Sequence, residues 1–179
     1  KKALCILHEE NNIGLQERCA GAAEGMGESG AEVVNVQVTG KADPRSTALE
    51  IGAAMEAQSP DAVLTLDPDI AMAALKEVTS RDATLATFDL SPDVLDEVAA
   101  GTIEFAVDQQ PYLQGFLATS MLFAHLKFGT TISTNPVLTG PAIIDASNVD
   151  AVVAKGVELL GEAVFGDVTI SGSYAFSDS

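Results

Sequence analysis

Asp108-Gln109-Gln110-Pro111-Tyr112-Leu113-Gln114-Gly115 joins a short apolar strand, carrying Ile103, Phe105 and Val107, to a long apolar helix. A strand that ends in a carboxylate and amides, and a helix that opens on Pro, mark one β/α unit of a layered sheet. Proline suits that first helical position because the N–H it lacks would have no partner there. Three more strand ends upstream repeat the arrangement: His8-Glu9-Glu10-Asn11-Asn12, Asp67-Pro68-Asp69 and Asp89-Leu90-Ser91.

Working outward from these junctions, strands are expected over residues 3–7, 32–38, 62–66, 84–88 and 104–107. Helices are expected over 13–28, 46–57, 70–79 and 92–100. Apolar runs of this length, separated by helix-length segments, are parallel strands buried on both faces. Five such units make an α/β fold, a doubly wound parallel sheet of flavodoxin-like order 2-1-3-4-5. After Gln110 the rhythm changes. A helix over 111–128 carries Tyr112, Leu113, Phe116, Leu117, Met121, Leu122, Phe123 and Leu126, an apolar surface too broad for one sheet contact. A loop over 129–135, a strand over 137–144 broken at Gly140-Pro141, and a helix over 149–164 complete the expectation. The Gly- and Ser-rich tail, 166–179, is expected to be weakly ordered.

Composition narrows the function classes. Of 179 residues 47% are hydrophobic but only 5% aromatic, without Trp, so the core must be built of Ala, Val, Leu and Ile. Nine basic against 26 acidic residues give a net charge of −17. Such a surface repels phosphate backbones, so no nucleic-acid partner is expected. No apolar run reaches the roughly 18 residues of a membrane span. Lys1-Lys2 stand directly before the first strand, with no Met and no signal-peptide stretch, as expected of a processed or truncated N-terminus. Cys5 and Cys19 fall on the first strand and the first helix, which leaves both a disulfide and two buried thiols open. No CxxC pattern is present.

Several enzyme signatures fail on their context. Gly25-Met26-Gly27-Glu28-Ser29-Gly30 spells GxGxxG but closes a helix ahead of a strand, the reverse of a dinucleotide fingerprint. It reads as helix termination. No GxxxxGK[ST] or GxSxG occurs, and Gln109 stands in the region where a receiver domain would need a lysine. His125 lies on the long apolar helix and reads as structural. His8 has no second His or Cys nearby to share a metal, so no metal site is expected. With no nucleophile identified, an enzyme is the weaker reading, and no cofactor is expected.

Ligands of open parallel sheets bind beyond the carboxyl ends of the strands. In the order 2-1-3-4-5 the first, third, fourth and fifth ends form a contiguous rim, with Thr39-Gly40-Lys41 at one side and Arg18 leaning back from the first helix. Carboxylates accept from hydroxyls, Asn and Gln both donate and accept, and Arg donates in a planar fork. That inventory suits a polyol.

These residues carry a resemblance to the type I periplasmic sugar-binding proteins, the ribose- and galactose-binding group of ABC importers. It rests on His8-Glu9 with Asn12, Leu15 to Gly21, Thr65-Leu66-Asp67-Pro68, Phe88-Asp89-Leu90-Ser91-Pro92, Gly101-Thr102-Ile103, Asp108 to Gly115 and Thr139-Gly140-Pro141. The resemblance covers about residues 1–150. It implies a two-lobed protein in which residues 1–110 are the second, C-terminal lobe. Residues 111–136 would then form the hinge return and the helix that packs on the first lobe, 137–165 the return strand and last helix, and 166–179 the tail. By the same resemblance Arg18, Asp89 and Gln109 hydrogen-bond sugar hydroxyls, and Asn12 is a loop contact. Asp67 falls where ribose binders place an Asn; an acid there accepts but donates nothing. The implied partners are a sugar or polyol, a membrane permease, and either the first lobe or another copy of the chain. The implied location is periplasmic. The same fold also occurs as the effector domain of a transcription regulator, which is expected to need a helix-turn-helix headpiece not found in these residues, and the sheet order also fits a small flavodoxin-like enzyme or receiver domain.

Overall fold

The computed structural model describes residues 1–134, 136–154, 159–165 and 168–174. Strands β1 (Lys2–Leu7), β2 (Glu32–Gln37), β3 (Ala62–Thr65), β4 (Thr84–Phe88), β5 (Phe105–Asp108) and β6 (Ala142–Asp145) form one sheet in the order β2-β1-β3-β4-β5-β6. The first five are parallel in the predicted order, and β6 adds an antiparallel edge with Ile143 opposite Val107. Between them run α1 (Ile13–Gly27), α2 (Pro44–Gln58), α3 (Pro68–Thr79), α4 (Pro92–Ala99), α5 (Pro111–Phe128) and α6 (Val149–Ala154).

Local chemistry starts these helices where the sequence places them. Asp43, Asp67 and Ser91 each accept a hydrogen bond from a first-turn N–H and precede Pro44, Pro68 and Pro92. The Gly25–Gly30 segment ends α1 as expected. The Ala31 N–H donates to the Met26 carbonyl (3.2 Å) and Gly30 takes a φ of 76°.

The two faces of the sheet are unequally covered. Leu4, Ile6, Val63 and Leu85 meet Ile51 and Met55 of α2, Ile70 and Val78 of α3, and Val94 and Val98 of α4 in one large core. Each fully buried side chain of this size contributes about 1.5–3 kcal/mol. On the other face a smaller cluster joins Cys5, Leu15, Cys19 and Leu66 under α1. There Cys5 and Cys19 form a disulfide, their Cα atoms 5.7 Å apart, which decides the alternative left open by the sequence. Helix α5 buries none of its side chains, and Tyr112, Phe116, Leu122, Leu126 and Phe128 are exposed.

Beyond α5 the expected boundaries need correction. The return strand begins at Ala142 and not at residue 137, because Pro141 has no N–H to give a ladder. Of the helix expected over 149–164, Val149–Ala154 is helical and 155–158 lie outside the described residues. Leu159–Phe165 (β7) and Val168–Tyr174 (β8) instead pair antiparallel in a separate two-stranded sheet. Half of the tail expected to be weakly ordered, 168–174, therefore falls in a strand; 166–167 and 175–179 lie outside the described residues. Two apolar runs flanking Gly166-Asp167 are a hairpin signal, and Gly161 weakens a helix by about 1 kcal/mol.

Candidate ligand-binding site

Three of the rim residues converge. The Arg18 guanidinium, projected from α1, donates from Nη2 to Gln109 Oε1 at 2.8 Å. Gln109 Nε2 in turn donates to Asp89 Oδ1 at 2.6 Å. The guanidinium carbon of Arg18 lies 5.0 Å from the Phe88 ring centroid, so the cation rests on an aromatic face. Arg18, Gln109 and Asp89 thus form one hydrogen-bonded chain across the ends of β4 and β5.

The backbone around that chain is set against its easiest conformations. Asp89 follows β4 with a φ of 66°, while its N–H still donates to the Val107 carbonyl at 2.9 Å. Asp tolerates this left-handed region better than most residues. Gln110 takes φ 56° without that excuse. Its N–H is held by Asp108 Oδ1 at 2.8 Å, and Gln114 Nε2 secures the Gln109 carbonyl at 2.8 Å. A residue held at such φ costs about 1–3 kcal/mol and persists where its surroundings fix it.

Asp67 is placed apart from this chain and is already engaged. Its Oδ1 accepts from the Asp69 N–H (2.9 Å), starting α3, and its Oδ2 lies 2.6 Å from Lys41 Nζ. This hydrogen bond to Asp67 holds the Lys41 ammonium above its ordinary pKa. Asn12 is likewise committed to local structure. Its Oδ1 accepts from the Leu15 N–H at 3.2 Å and its Nδ2 donates to Glu9 Oε2 at 2.7 Å. Beneath the rim, His8 is buried, and its Nδ1 has no hydrogen-bond partner. Burial holds its pKa below the ordinary value, against the opposing pull of the Asp67 and Glu9 carboxylates.

The sequence alone does not point to Lys41 against Asp67 or to Phe88 beneath Arg18. Phe88 sits one residue before Asp89, where the apolar pattern marks it as an ordinary strand residue. Lys41 ends a segment that strand order alone puts to one side. A groove of about 710 Å³ adjoins the site between α5 and residues 137–141, sharing Phe88 and Gln109 but otherwise lined mainly by apolar groups such as Leu117, Met121 and Leu138. Among the described residues, no group of three or more His, Cys, Asp or Glu side chains is placed to hold a metal ion.

The parallel sheet thus carries a polar rim at its carboxyl ends, in which Arg18, Gln109 and Asp89 are joined by hydrogen bonds. The chain belongs to the periplasmic binding protein domain family, whose sequence model matches residues 2–131. Its fold superposes on a carbohydrate transporter of Acidothermus cellulolyticus solved with myo-inositol, at TM-score 0.76 and 34% identity, over 86% of this chain and 54% of that one. A periplasmic ribose ABC transporter protein of Conexibacter woesei shares the fold at TM-score 0.74 and 21% identity, over 86% and 53%. The xylose/arabinose-binding protein XylF of Sulfolobus acidocaldarius is 35% identical over 75 residues, 41% of this chain and 19% of XylF. The chain spans about half the length of the solved structures it matches.

Proposed function

We propose that this chain is a ligand-binding lobe of the substrate-binding component of a sugar ABC importer. It takes a monosaccharide or polyol between itself and a second lobe, delivers it to a membrane permease, and acts outside the cytoplasm as a binder and not an enzyme. The observation that carries this reading is the Arg18–Gln109–Asp89 chain backed by Phe88. It offers a fixed cationic donor, an amide and a carboxylate acceptor within one hydrogen-bonded array, which complements adjacent hydroxyls better than any single group. Membership of the family, and the bound myo-inositol named for the Acidothermus cellulolyticus structure, support the ligand class.

Asp67 and Asn12 complete the proposed contact set at the β3 and β1 ends. The exposed apolar side of α5 would be covered by the first lobe or by another copy of the chain. Ligand contacts made to both lobes only in the closed state would drive closure.

Calorimetric titration of the full-length gene product with myo-inositol, D-ribose, L-arabinose and D-xylose tests the reading. Arg18→Ala and Asp89→Ala are each expected to weaken binding of the preferred sugar by about 1.5–3 kcal/mol, the range for hydrogen bonds to charged groups. Undiminished affinity in both variants would remove these residues from the site.

A further inference from the structure

Strand order leaves Lys41 at the side of the rim, yet the structure carries its ammonium from the β2 end, across the end of β1, to Asp67 at the end of β3. The loop that aims it is built for the purpose. Thr39 donates from its N–H and its hydroxyl to Glu50, at 2.7 and 2.5 Å. The Thr47 hydroxyl accepts from the Gly40 N–H (3.1 Å) and donates to the Gly40 carbonyl (2.8 Å). Gly40 itself has a φ of 94° and lies against the His8 carbonyl so closely that only a residue without Cβ fits. Lys41 is therefore the end of a backbone held at three points.

What the ammonium meets there decides its use. Asp67 is nearly covered, its side chain 13% exposed, whereas Lys41 is 45% exposed. An ammonium has three N–H donors and Asp67 Oδ2 takes one; Asp69 Oδ2, at 3.9 Å, is beyond hydrogen-bonding distance. Donors thus remain on an ammonium that is 45% exposed at the carboxyl-end rim, beside a carboxylate that can accept but not donate. We propose that Lys41 and Asp67 act as one composite donor–acceptor group of the ligand cleft, with Lys41 the specificity residue that supplies the donor at this position. The pair carries no net charge, so the chemistry it selects is an uncharged ligand presenting an acceptor oxygen next to a hydroxyl. This inference rests on the sugar-binding reading above.

The test uses the full-length gene product and the same four sugars. Lys41→Met, which keeps the stem and removes the donors, is expected to raise the Kd for the preferred sugar about tenfold or more. The double variant Lys41→Met/Asp67→Asn is expected to return the Kd to within about threefold of wild type, because an amide both donates and accepts. In the wild-type protein, the side-chain nitrogen resonance of Lys41 shifts when the sugar saturates the site, a readout that needs no variant. An exposed ion pair contributes roughly 0–1 kcal/mol to stability, so a purely structural Lys41 would leave the Kd unchanged in Lys41→Met. That result, with Arg18→Ala still weakening binding, overturns the inference and spares the sugar-binding reading. A double variant that stays as weak as Lys41→Met, or a Lys41 resonance that does not move, also overturns it. If wild type binds none of the four sugars, the underlying reading falls and this inference with it.

Discussion

A Cβ built on Gly40 would stand 2.5 Å from the carbonyl oxygen of His8. The contact is backbone against backbone, so neither partner has a flexible end to move aside. The φ of 94° at Gly40 is also one that a residue with a Cβ rarely adopts. Gly40→Ala is expected to destabilise the chain by at least about 1–3 kcal/mol, the range for a residue forced into disfavoured backbone geometry. Gly21 makes the comparison, because it lies within α1 with open space where its Cβ would go. There Ala should stabilise by about 0.5–1 kcal/mol. Urea unfolding of both variants checks the pair, and equal midpoints would contradict it.

His8 predicts how stability follows pH. Its folded pKa is lowered from 6.5, with burial the largest cause. Below that ordinary value the unfolded chain takes up a proton that the folded chain refuses. The contribution of His8 is therefore fully present above pH 6.5 and is lost as pH falls towards the folded pKa. Glu50, whose pKa is lowered from 4.5 chiefly by the Thr39 hydroxyl, adds a second loss below pH 4.5. Unfolding free energies measured from pH 8 to 4 should show the first decline, and the imidazole signals of His8 should titrate below 6.5. A His8 midpoint at or above 6.5 would refute the assignment.

The Cys5–Cys19 bridge joins the middle of β1 to α1 across a sequence separation of 14 residues. Closing a loop of about that length restricts the unfolded chain by about 3 kcal/mol. Replacing both cysteines with Ala should cost about that much in urea unfolding under oxidising conditions. Under reducing conditions the wild type should approach the variant. Arg18 immediately precedes Cys19, so the double variant should also bind sugar more weakly than its stability alone would explain.

The parallel sheet was legible because its signals are local and redundant. Apolar runs such as Val63-Leu64 and Leu85-Ala86 lie between Pro-led helices, and each cap sits directly before its proline. Strand order puts the Asp89 and Gln109 ends side by side on β4 and β5, whereas the reach of Arg18 from α1 to Gln109 is set by its side chain and not by any spacing in the sequence. Lys41 was not legible, because its position depends on how the Thr39–Lys41 backbone is bent by Glu50, Thr47 and His8. Those three partners are scattered along the chain, and no period or spacing relates them. The region after α5 was misread for another reason. Apolar content at Leu159–Phe165 serves a helix or a strand equally, and Gly161 with the Gly166-Asp167 punctuation is all that favours the hairpin.

Helix α5 illustrates a consequence of burial that equilibrium contacts do not express. Its 18 residues contribute no buried side chain, so in this chain alone its amides are guarded by helical hydrogen bonds and little else. Hydrogen–deuterium exchange should release them through local opening, orders of magnitude faster than the amides of β1, whose Leu4 and Ile6 are completely buried. A cooperating second lobe laid on α5 would slow that exchange while leaving β1 unchanged. The ratio of the two α5 rates would then read out, residue by residue, how strongly one half of the protein holds the other.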